Sequence, residues 1–146
     1  KIEELGLDEQ LKELVTIKQK PILGICLGMQ LLGLSSEESG HNKGLGIIPG
    51  VVEKFSGTKL KVPHVGFNQV LPNPNSRYKG VVCNPDYYFT HSFRMISESD
   101  IGQSNCNYGD HFVASFELDN IAGVQFHPEL SQNNGLQLLK NFVELF

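Results

Sequence analysis

The chain has 146 residues, 40% of them hydrophobic, which predicts a single domain over residues 1–146 with a core of its own. Its formal charge of -4, without a basic run, argues against a nucleic-acid partner. The longest apolar stretch, residues 21–34, is interrupted by glycine and glutamine and is too short to cross a bilayer, which argues against a membrane partner. Three cysteines without C-x-x-C spacing predict neither disulfides nor a zinc site and suit a reducing cytoplasm.

Apolar residues recur every three or four positions over residues 2–18, with a break at Gly6 and a restart at Asp8, a plausible N-cap, which predicts one amphipathic helix after a short turn. Pro21 ends it, and an apolar run at 22–25 predicts a buried strand. A helical pattern over 27–34 and a polar loop over 35–43 follow. The remaining pattern predicts short antiparallel strands and a closing helix, with strands at 51–55, 61–62, 68–71, 87–89, 111–116 and 121–126 and the helix at 135–146.

A strand, a sharp turn and a helix in succession are typical of an open α/β sheet. We therefore predict an open, mostly parallel sheet with helices on both faces and an inserted set of antiparallel strands. The pattern contains only two or three good helices, and the sequence opens on Lys1 rather than Met. We expect that amino-terminal strands precede it and are missing here.

The most informative stretch is Gly24-Ile25-Cys26-Leu27-Gly28, which places a cysteine between two glycines where a strand gives way to a helix. This pattern predicts a nucleophile elbow, a tight turn that lifts the central side chain clear of the sheet. The following helix would favour the thiolate, and the Leu27 N–H would face a tetrahedral oxyanion. The alternative is a small cysteine buried in a core strand.

Of the five histidines, His127 is the best placed to serve as base for this cysteine. It follows the predicted strand 121–126, and ligands gather at the carboxyl ends of strands in open α/β sheets. Glu129, two residues on, would bond the far ring nitrogen and hold the tautomer. Alone, His-Pro-Glu would be a surface turn, but with the cysteine elbow it predicts a triad of Cys26, His127 and Glu129.

These motifs resemble those of a known family. PILGICLGMQLL and GVQFHPE are similar to the paired signature of the class I glutamine amidotransferases, which have a flavodoxin-like α/β fold. KVPHVGFNQV, YFTHSF and SEES resemble segments of the glutaminase subunit of imidazole glycerol phosphate synthase, and the resemblance runs from about residue 6 to 142. It implies hydrolysis of L-glutamine to glutamate and ammonia through a cysteinyl thioester, with no cofactor and no metal.

The resemblance also implies roles outside the triad. Glu38 would pair with the α-ammonium group of glutamine, Gln30 would bond its α-carboxylate, and the backbone of Ser92 and Phe93 would complete the site. For Glu38 alone, a solvated loop charge is the alternative. The partner would be a (β/α)8-barrel synthase that uses the ammonia in histidine biosynthesis. The residues that would face it are Pro63, His64, Phe67, Asn68 and Tyr88.

The sequence departs from this subfamily at Leu130, where lysine is usual, and at Phe67, where tryptophan is usual. A paralogue that supplies ammonia for amidation of a bacterial surface sugar is therefore an alternative. The family's second oxyanion donor lies on a segment that does not precede Lys1, so the chain as written is expected to be weakly active or inactive. A non-catalytic partner-binding domain and a cysteine hydrolase acting on another amide are the remaining hypotheses.

Overall fold

The computed structural model describes residues 3–56, 61–76 and 85–146. Helical segments lie at both ends of the chain and after the first strand: a 3₁₀ turn (Glu3–Leu5), α1 (Leu7–Lys12) with a π-helical continuation (Glu13–Ile17), α2 (Leu27–Leu31), a 3₁₀ turn (Pro128–Leu130) and α3 (Gln132–Leu145). The strands are β1 (Ile22–Ile25), β2 (Ser35–Ser36), β3 (Asn42–Lys43), β4 (Val51–Lys54), β5 (His64–Leu71), β6 (Asp86–His91), β7 (Phe93–Ile96), β8 (Ser104–Tyr108), β9 (Asp110–Leu118) and β10 (Ile121–Val124).

These strands form two sheets. The larger has the order β1-β10-β9-β8-β5-β6, and the smaller has the order β3-β2-β4-β7. The predicted α/β class with an antiparallel insertion is confirmed. Among the described residues, however, parallel pairing is limited to β1 with β10 and β2 with β4, so antiparallel pairs make up more of the sheets than the sequence indicated.

Most predicted elements are present, with shifted ends. The helix after Cys26 ends at Leu31 rather than residue 34, and the polar segment 35–43 contains the short strands β2 and β3. The strand predicted at 61–62 is wrong, because β5 begins only at His64. The strands β7 and β8 were not predicted.

Tertiary pairing explains both omissions. Arg94 interrupts the apolar pattern of β7, yet it is buried because Glu53 on β4 accepts a hydrogen bond from it at 2.7 Å in direct register. β8 is mostly polar and is ordered between β5 and β9. Each strand has only four or five residues, so its apolar alternation is too short to mark it locally.

The core is divided between two clusters. One includes Tyr87, Phe89, Phe112, Phe126 and Leu138, the last of which belongs to α3. The other includes Val15, Met29, Leu32, Val52 and Phe116. Fully burying a side chain such as Met29 or Leu32 contributes about 1.5–3 kcal/mol, and here it fixes α2 against the sheet.

Gly24 allows α2 to pack directly on β1. A Cβ atom at Gly24 would lie 2.7 Å from the Met29 nitrogen and 2.8 Å from the Gly28 carbonyl carbon, closer than real contacts allow. A Cβ atom at Gly28 would meet nothing within 4 Å. Only the first glycine of the predicted elbow is therefore required by close packing.

A pair of histidines is buried between β5 and β6. His64 and His91 are opposite each other in the strand register, and their Nδ1 and Nε2 atoms are 3.0 Å apart. His91 Nδ1 donates to the Phe93 carbonyl at 2.7 Å, so His91 Nε2 accepts the hydrogen bond from His64. The ring of His64 stacks on Tyr108 with centroids 3.9 Å apart. Burial lowers the pKa of each histidine to about 4.

We predict that Gly24→Ala destabilises the protein by about 1–3 kcal/mol, because the added methyl group would force β1 and α2 apart. Gly28→Ala is the matched control and should raise stability by roughly 0.5–1 kcal/mol, since Gly28 lies inside a helix with open space around it. Urea unfolding of both variants measures the difference. Equal effects would contradict this account of the elbow.

We also predict that stability falls as the pH is lowered from about 6.5 to about 4. The unfolded histidines take up protons below their ordinary pKa of 6.5, whereas the folded pair stays neutral until about pH 4. His64→Gln keeps a hydrogen-bond donor for His91 and removes one titrating histidine. It should lower the slope of the unfolding free energy against pH by the equivalent of up to one proton, or about 1.4 kcal/mol per pH unit.

His111→Gln is the control for this measurement, because His111 is exposed on β9. The free energy of unfolding would be measured against pH for the wild type and both variants. If His64→Gln and His111→Gln had the same slope between these pH values, the buried pair would not be the cause of the acid sensitivity.

Candidate active site

Cys26 stands on a strained turn between β1 and α2. Its backbone has φ 50° and ψ -109°, a conformation that few non-glycine residues adopt. The Cys26 N–H donates to the Val124 carbonyl at 2.8 Å, which ties the turn to the end of β10. The Leu27 N–H, which the sequence predicted as an oxyanion donor, is near enough to the sulfur to act to lower the pKa of Cys26. The geometry is that of the predicted elbow.

Parallel pairing of β1 with β10 brings the predicted base to the same edge of the sheet. Ile25 and Val124 are the last paired residues of the two strands. The next residue is Cys26 on one chain segment and Gln125 on the other, and His127 follows Gln125 by two positions. The His127 Nδ1 atom lies 2.7 Å from Glu129 Oε1. A carboxylate can only accept, so Nδ1 carries the proton and Nε2 is left as the basic nitrogen.

Glu129 is an ionised partner for this ring. Burial acts to raise its pKa, but the hydrogen bond from His127, the Glu129 backbone N–H and the charge of His127 together hold the pKa of the carboxyl below its usual value. The His127 backbone is itself fixed, since its N–H donates to the Tyr88 carbonyl at 2.8 Å and its carbonyl accepts from Ser131 Oγ at 2.6 Å. The arrangement suits a base held in one tautomer.

The surroundings of the sulfur favour the thiol over the thiolate. Burial raises the pKa of Cys26, the Leu27 N–H and the Gln125 amide act to lower it, and the charges of Glu129 and Glu38 raise it further. The Leu27 N–H at the start of α2 acts in the predicted direction, but burial of the sulfur outweighs it. Among the described residues, Sγ accepts from Gln125 at 3.6 Å, and no hydrogen bond joins it to His127.

A cavity of about 300 Å³ opens beside the thiol. All four residues that the sequence proposed for substrate binding line it, and so does Pro63, which was expected to face a partner. The lining residues are Cys26, Leu27, Gln30, Glu38, Pro63, Thr90, His91, Ser92 and Phe93. Glu38 is exposed on its loop and close enough to act on the Cys26 thiol, so it is more than a distant solvated charge.

Gln30 is oriented differently from the expectation. Its Nε2 donates to the Phe93 carbonyl at 3.1 Å and to Gln125 Oε1 at 2.8 Å, which uses both amide hydrogens. It therefore has no free donor for an α-carboxylate in this state, and Oε1 is the atom it can offer to a ligand. Its structural contribution is to hold the Phe93 carbonyl and the Gln125 side chain in place.

The residues predicted to face a partner differ in whether their side chains are buried or exposed. His64 is only 2% exposed and bonds His91, so that prediction is corrected: the ring is part of the core. Phe67 is 50% exposed and contacts Tyr88 edge-on with centroids 5.6 Å apart. Asn68 lies on the opposite face of β5 and donates to the Asn107 carbonyl at 3.2 Å.

The described residues offer neither a ready metal site nor a helix that could span a membrane. In the part of the chain that the structure describes, no group of three or more His, Cys, Asp or Glu side chains is arranged to hold a metal ion. None of the helices described is long and apolar enough to cross a bilayer.

Sequence reasoning missed Gln125 at this site. It was assigned only to a strand, although it is a polar residue between Val124 and Phe126, and all three side chains are fully buried. A buried carboxamide in an apolar run needs a polar partner, and that requirement was the signal available in the sequence.

Comparisons with known proteins agree with this geometry. The model of the class-I glutamine amidotransferase family matches residues 3–145. The imidazole glycerol phosphate synthase subunit HisH 1 of Campylobacter jejuni is 46% identical over 99% of this chain and 73% of its own length. HisH of Escherichia coli K12 is 45% identical over 94% of this chain and 70% of its own length.

Solved structures show the same fold at low sequence identity. A Thermoplasma acidophilum protein assigned as one component of GMP synthase is 22% identical with a TM-score of 0.69, and the match covers 97% of this chain and 65% of that one. A second structure, of a glutamine amidotransferase, has a TM-score of 0.66 at 15% identity and is covered over 70% of its length. With a family model over nearly all its residues and close relatives among HisH subunits, the chain belongs to the class-I glutamine amidotransferases.

Proposed function

We propose that this protein is the glutaminase subunit of an imidazole glycerol phosphate synthase: it hydrolyses L-glutamine and passes the ammonia to a synthase partner for histidine biosynthesis. The observation that supports the proposal is the parallel pairing of β1 with β10, because it brings the cysteine elbow and the segment leading to a His-Glu pair to one edge of the sheet. The names of the HisH relatives support the pathway. A biosynthetic role and the free thiols of Cys26 and Cys106 fit the cytoplasm.

The chemistry starts from a neutral thiol. His127 Nε2 removes the proton from Cys26 as sulfur attacks the carboxamide carbon, and the Leu27 N–H stabilises the oxyanion. Collapse breaks the C–N bond, and the imidazolium returns its proton to the departing ammonia. Water then attacks the γ-glutamyl thioester with His127 as base, which releases glutamate and restores the thiol. Glu129 stabilises the imidazolium in both halves.

The cavity beside Cys26 suits the rest of the substrate. Glu38 offers a carboxylate for the α-ammonium group, and Ser92 and Phe93 line the same pocket as the thiol. Gln30 would act mainly by holding the Phe93 carbonyl. These contacts would place the carboxamide, not the α-carbon, at the sulfur.

The partner would dock on an exposed apolar face of β5. Val65 and Phe67 alternate with inward-facing residues and are 54% and 50% exposed, and Tyr88 contacts Phe67 from β6. By family resemblance the partner is a (β/α)8-barrel synthase. Direct transfer keeps ammonia from being protonated in water.

The alternative acceptor, a bacterial surface sugar, has one observation in its favour. Leu130, in place of the lysine usual after His-Pro-Glu, is 52% exposed beside the His-Glu pair and could alter the partner surface. The glutaminase chemistry would be the same in both cases. Glutamate release measured with a barrel synthase, and separately with a sugar amidotransferase, would distinguish the two acceptors.

We predict that Cys26→Ala abolishes glutamate release and that Glu129→Gln lowers kcat by roughly 10²–10⁴ without a large change in KM, since the substrate is not bound through Glu129. Glu144→Gln is the matched control, because Glu144 is an exposed carboxylate on α3 whose ion pair with Lys140 spans 3.9 Å. Glutamate would be measured with the synthase partner present, in the protein that contains this sequence.

Two results would overturn the assignment. If neither the wild type nor Cys26→Ala released glutamate, the result would support a partner-binding domain without catalysis. Labelling of Cys26 by general electrophiles but not by a glutamine-mimicking diazo ketone would indicate a hydrolase for another amide.

We predict that Phe67→Asp weakens binding of the synthase at least about tenfold, because a charge would be buried at the centre of the apolar face. Val143→Asp, at a position 81% exposed on α3, should leave the dissociation constant unchanged. Titration of the labelled partner measures both. If the two substitutions had equal effects, the partner would have to dock elsewhere.

A further inference from the structure

Gln125 is a buried polar side chain in direct contact with the nucleophile. It is 0% exposed, and its neighbours Val124 and Phe126 are equally buried. Its backbone N–H donates to the Ala114 carbonyl at 2.8 Å, so the residue is held between β10 and β9. Its Nε2 is 3.6 Å from Cys26 Sγ. The register of β1 and β10 makes this contact possible, because Cys26 and Gln125 follow paired residues.

The orientation of the Gln125 carboxamide is dictated by its neighbours. The Phe93 carbonyl can only accept, so Gln30 must direct its Nε2 toward it at 3.1 Å. The second hydrogen of the same Nε2 points to Gln125 at 2.8 Å, where it needs an acceptor. Gln125 therefore presents Oε1 to Gln30 and Nε2 to the sulfur. Each of these hydrogen bonds therefore has one possible donor: Gln30 donates to Phe93 and to Gln125, and Gln125 donates to Cys26.

We propose that Gln125 is a positioning residue for the Cys26 sulfur: its amide N–H holds the sulfur at the pocket and stabilises the thiolate that forms when His127 takes the proton. The inference deepens the proposed glutaminase function and rests on it for its catalytic meaning. Gln30 has the supporting role of fixing the carboxamide of Gln125.

Charge development at sulfur explains why such a donor is needed. A neutral thiol is a weak hydrogen-bond acceptor and a thiolate is a strong one, so the contact strengthens as the proton leaves. The carboxylates of Glu129 and Glu38 and the burial of the thiol all oppose ionisation. The donors that favour it are the Leu27 N–H and the Gln125 amide. Loss of one of these donors should therefore make ionisation of the Cys26 sulfur less favourable.

The test is the pH dependence of Cys26 alkylation by iodoacetamide, read from the Cys26 peptide by mass spectrometry across the range in which thiols ionise. Gln125→Glu keeps an acceptor for Gln30 and removes the donor to sulfur, and Gln125→Met removes both bonds. We expect the inflection to move to higher pH in both variants. At neutral pH the rate should fall about tenfold, the size expected for losing a hydrogen bond to a charged acceptor.

Gln137→Met is the matched control, because Gln137 is a part-buried glutamine on α3 that bonds Asn141. Its alkylation profile should equal that of the wild type. Gln30→Met removes the anchor of the Gln125 carboxamide, together with the bond to Phe93, but leaves Gln125 in place, so it should move the inflection in the same direction by less. The alkylation profile of Gln30→Met thus tests the role of Gln125 without a substitution at the buried position 125.

The proposal is overturned if the inflection is unchanged, or moves to lower pH, in folded Gln125→Glu, Gln125→Met or Gln30→Met protein. Glutamine turnover is a separate reading, in which the Gln125 variants should lower kcat more than they raise KM. A wild type whose Cys26 is alkylated normally but that releases no glutamate would refute the glutaminase proposal alone. The two failures are therefore distinguishable.

Discussion

The parallel pairing of β1 with β10 is the constraint on which the candidate site depends. Each strand ends at the same edge of the sheet, one in the cysteine elbow and the other in the segment that leads to His127. A slip of one residue would turn every side chain of the shifted strand to the opposite face and separate the sulfur from Gln125. Gly24 and Gly123 contribute to this precision, because a side chain at either would collide with α2 or with Phe116 and Met29.

The sulfur is held in a balance of opposing effects. Burial and two carboxylates favour the thiol, while a backbone N–H and a buried carboxamide favour the thiolate. In the resting state burial prevails, so ionisation must be coupled to proton transfer to a nearby base. In the proposed mechanism this base is His127, because Glu129 accepts from its Nδ1 and Nε2 is the nitrogen left to take the proton. A cysteine of this kind would gain its reactivity from the base during turnover.

Local sequence patterns predicted the parts of the structure that depend on local forces. The elbow, the His-Pro-Glu turn and the closing helix α3 carry their own signals in glycine spacing, a strand end and apolar periodicity. The strand β7 depends on an ion pair between Arg94 and Glu53 across two strands, and no local pattern encodes it. For the same reason, the burial of His64 and the amide directions of Gln30 and Gln125 became visible only with the strands in register.

The buried histidine pair also affects the electrostatics of the site. His91 lines the pocket, and the charge of His127 contributes to lowering the pKa of His91. A protonated His91 would repel a protonated His127 and so oppose the proton transfer that the thiol requires. Because burial keeps His91 neutral, the imidazolium at position 127 can form without that repulsion. The same ring anchors the Phe93 carbonyl that Gln30 also bonds, so the neutral core and the hydrogen bonds reaching Cys26 form one continuous network.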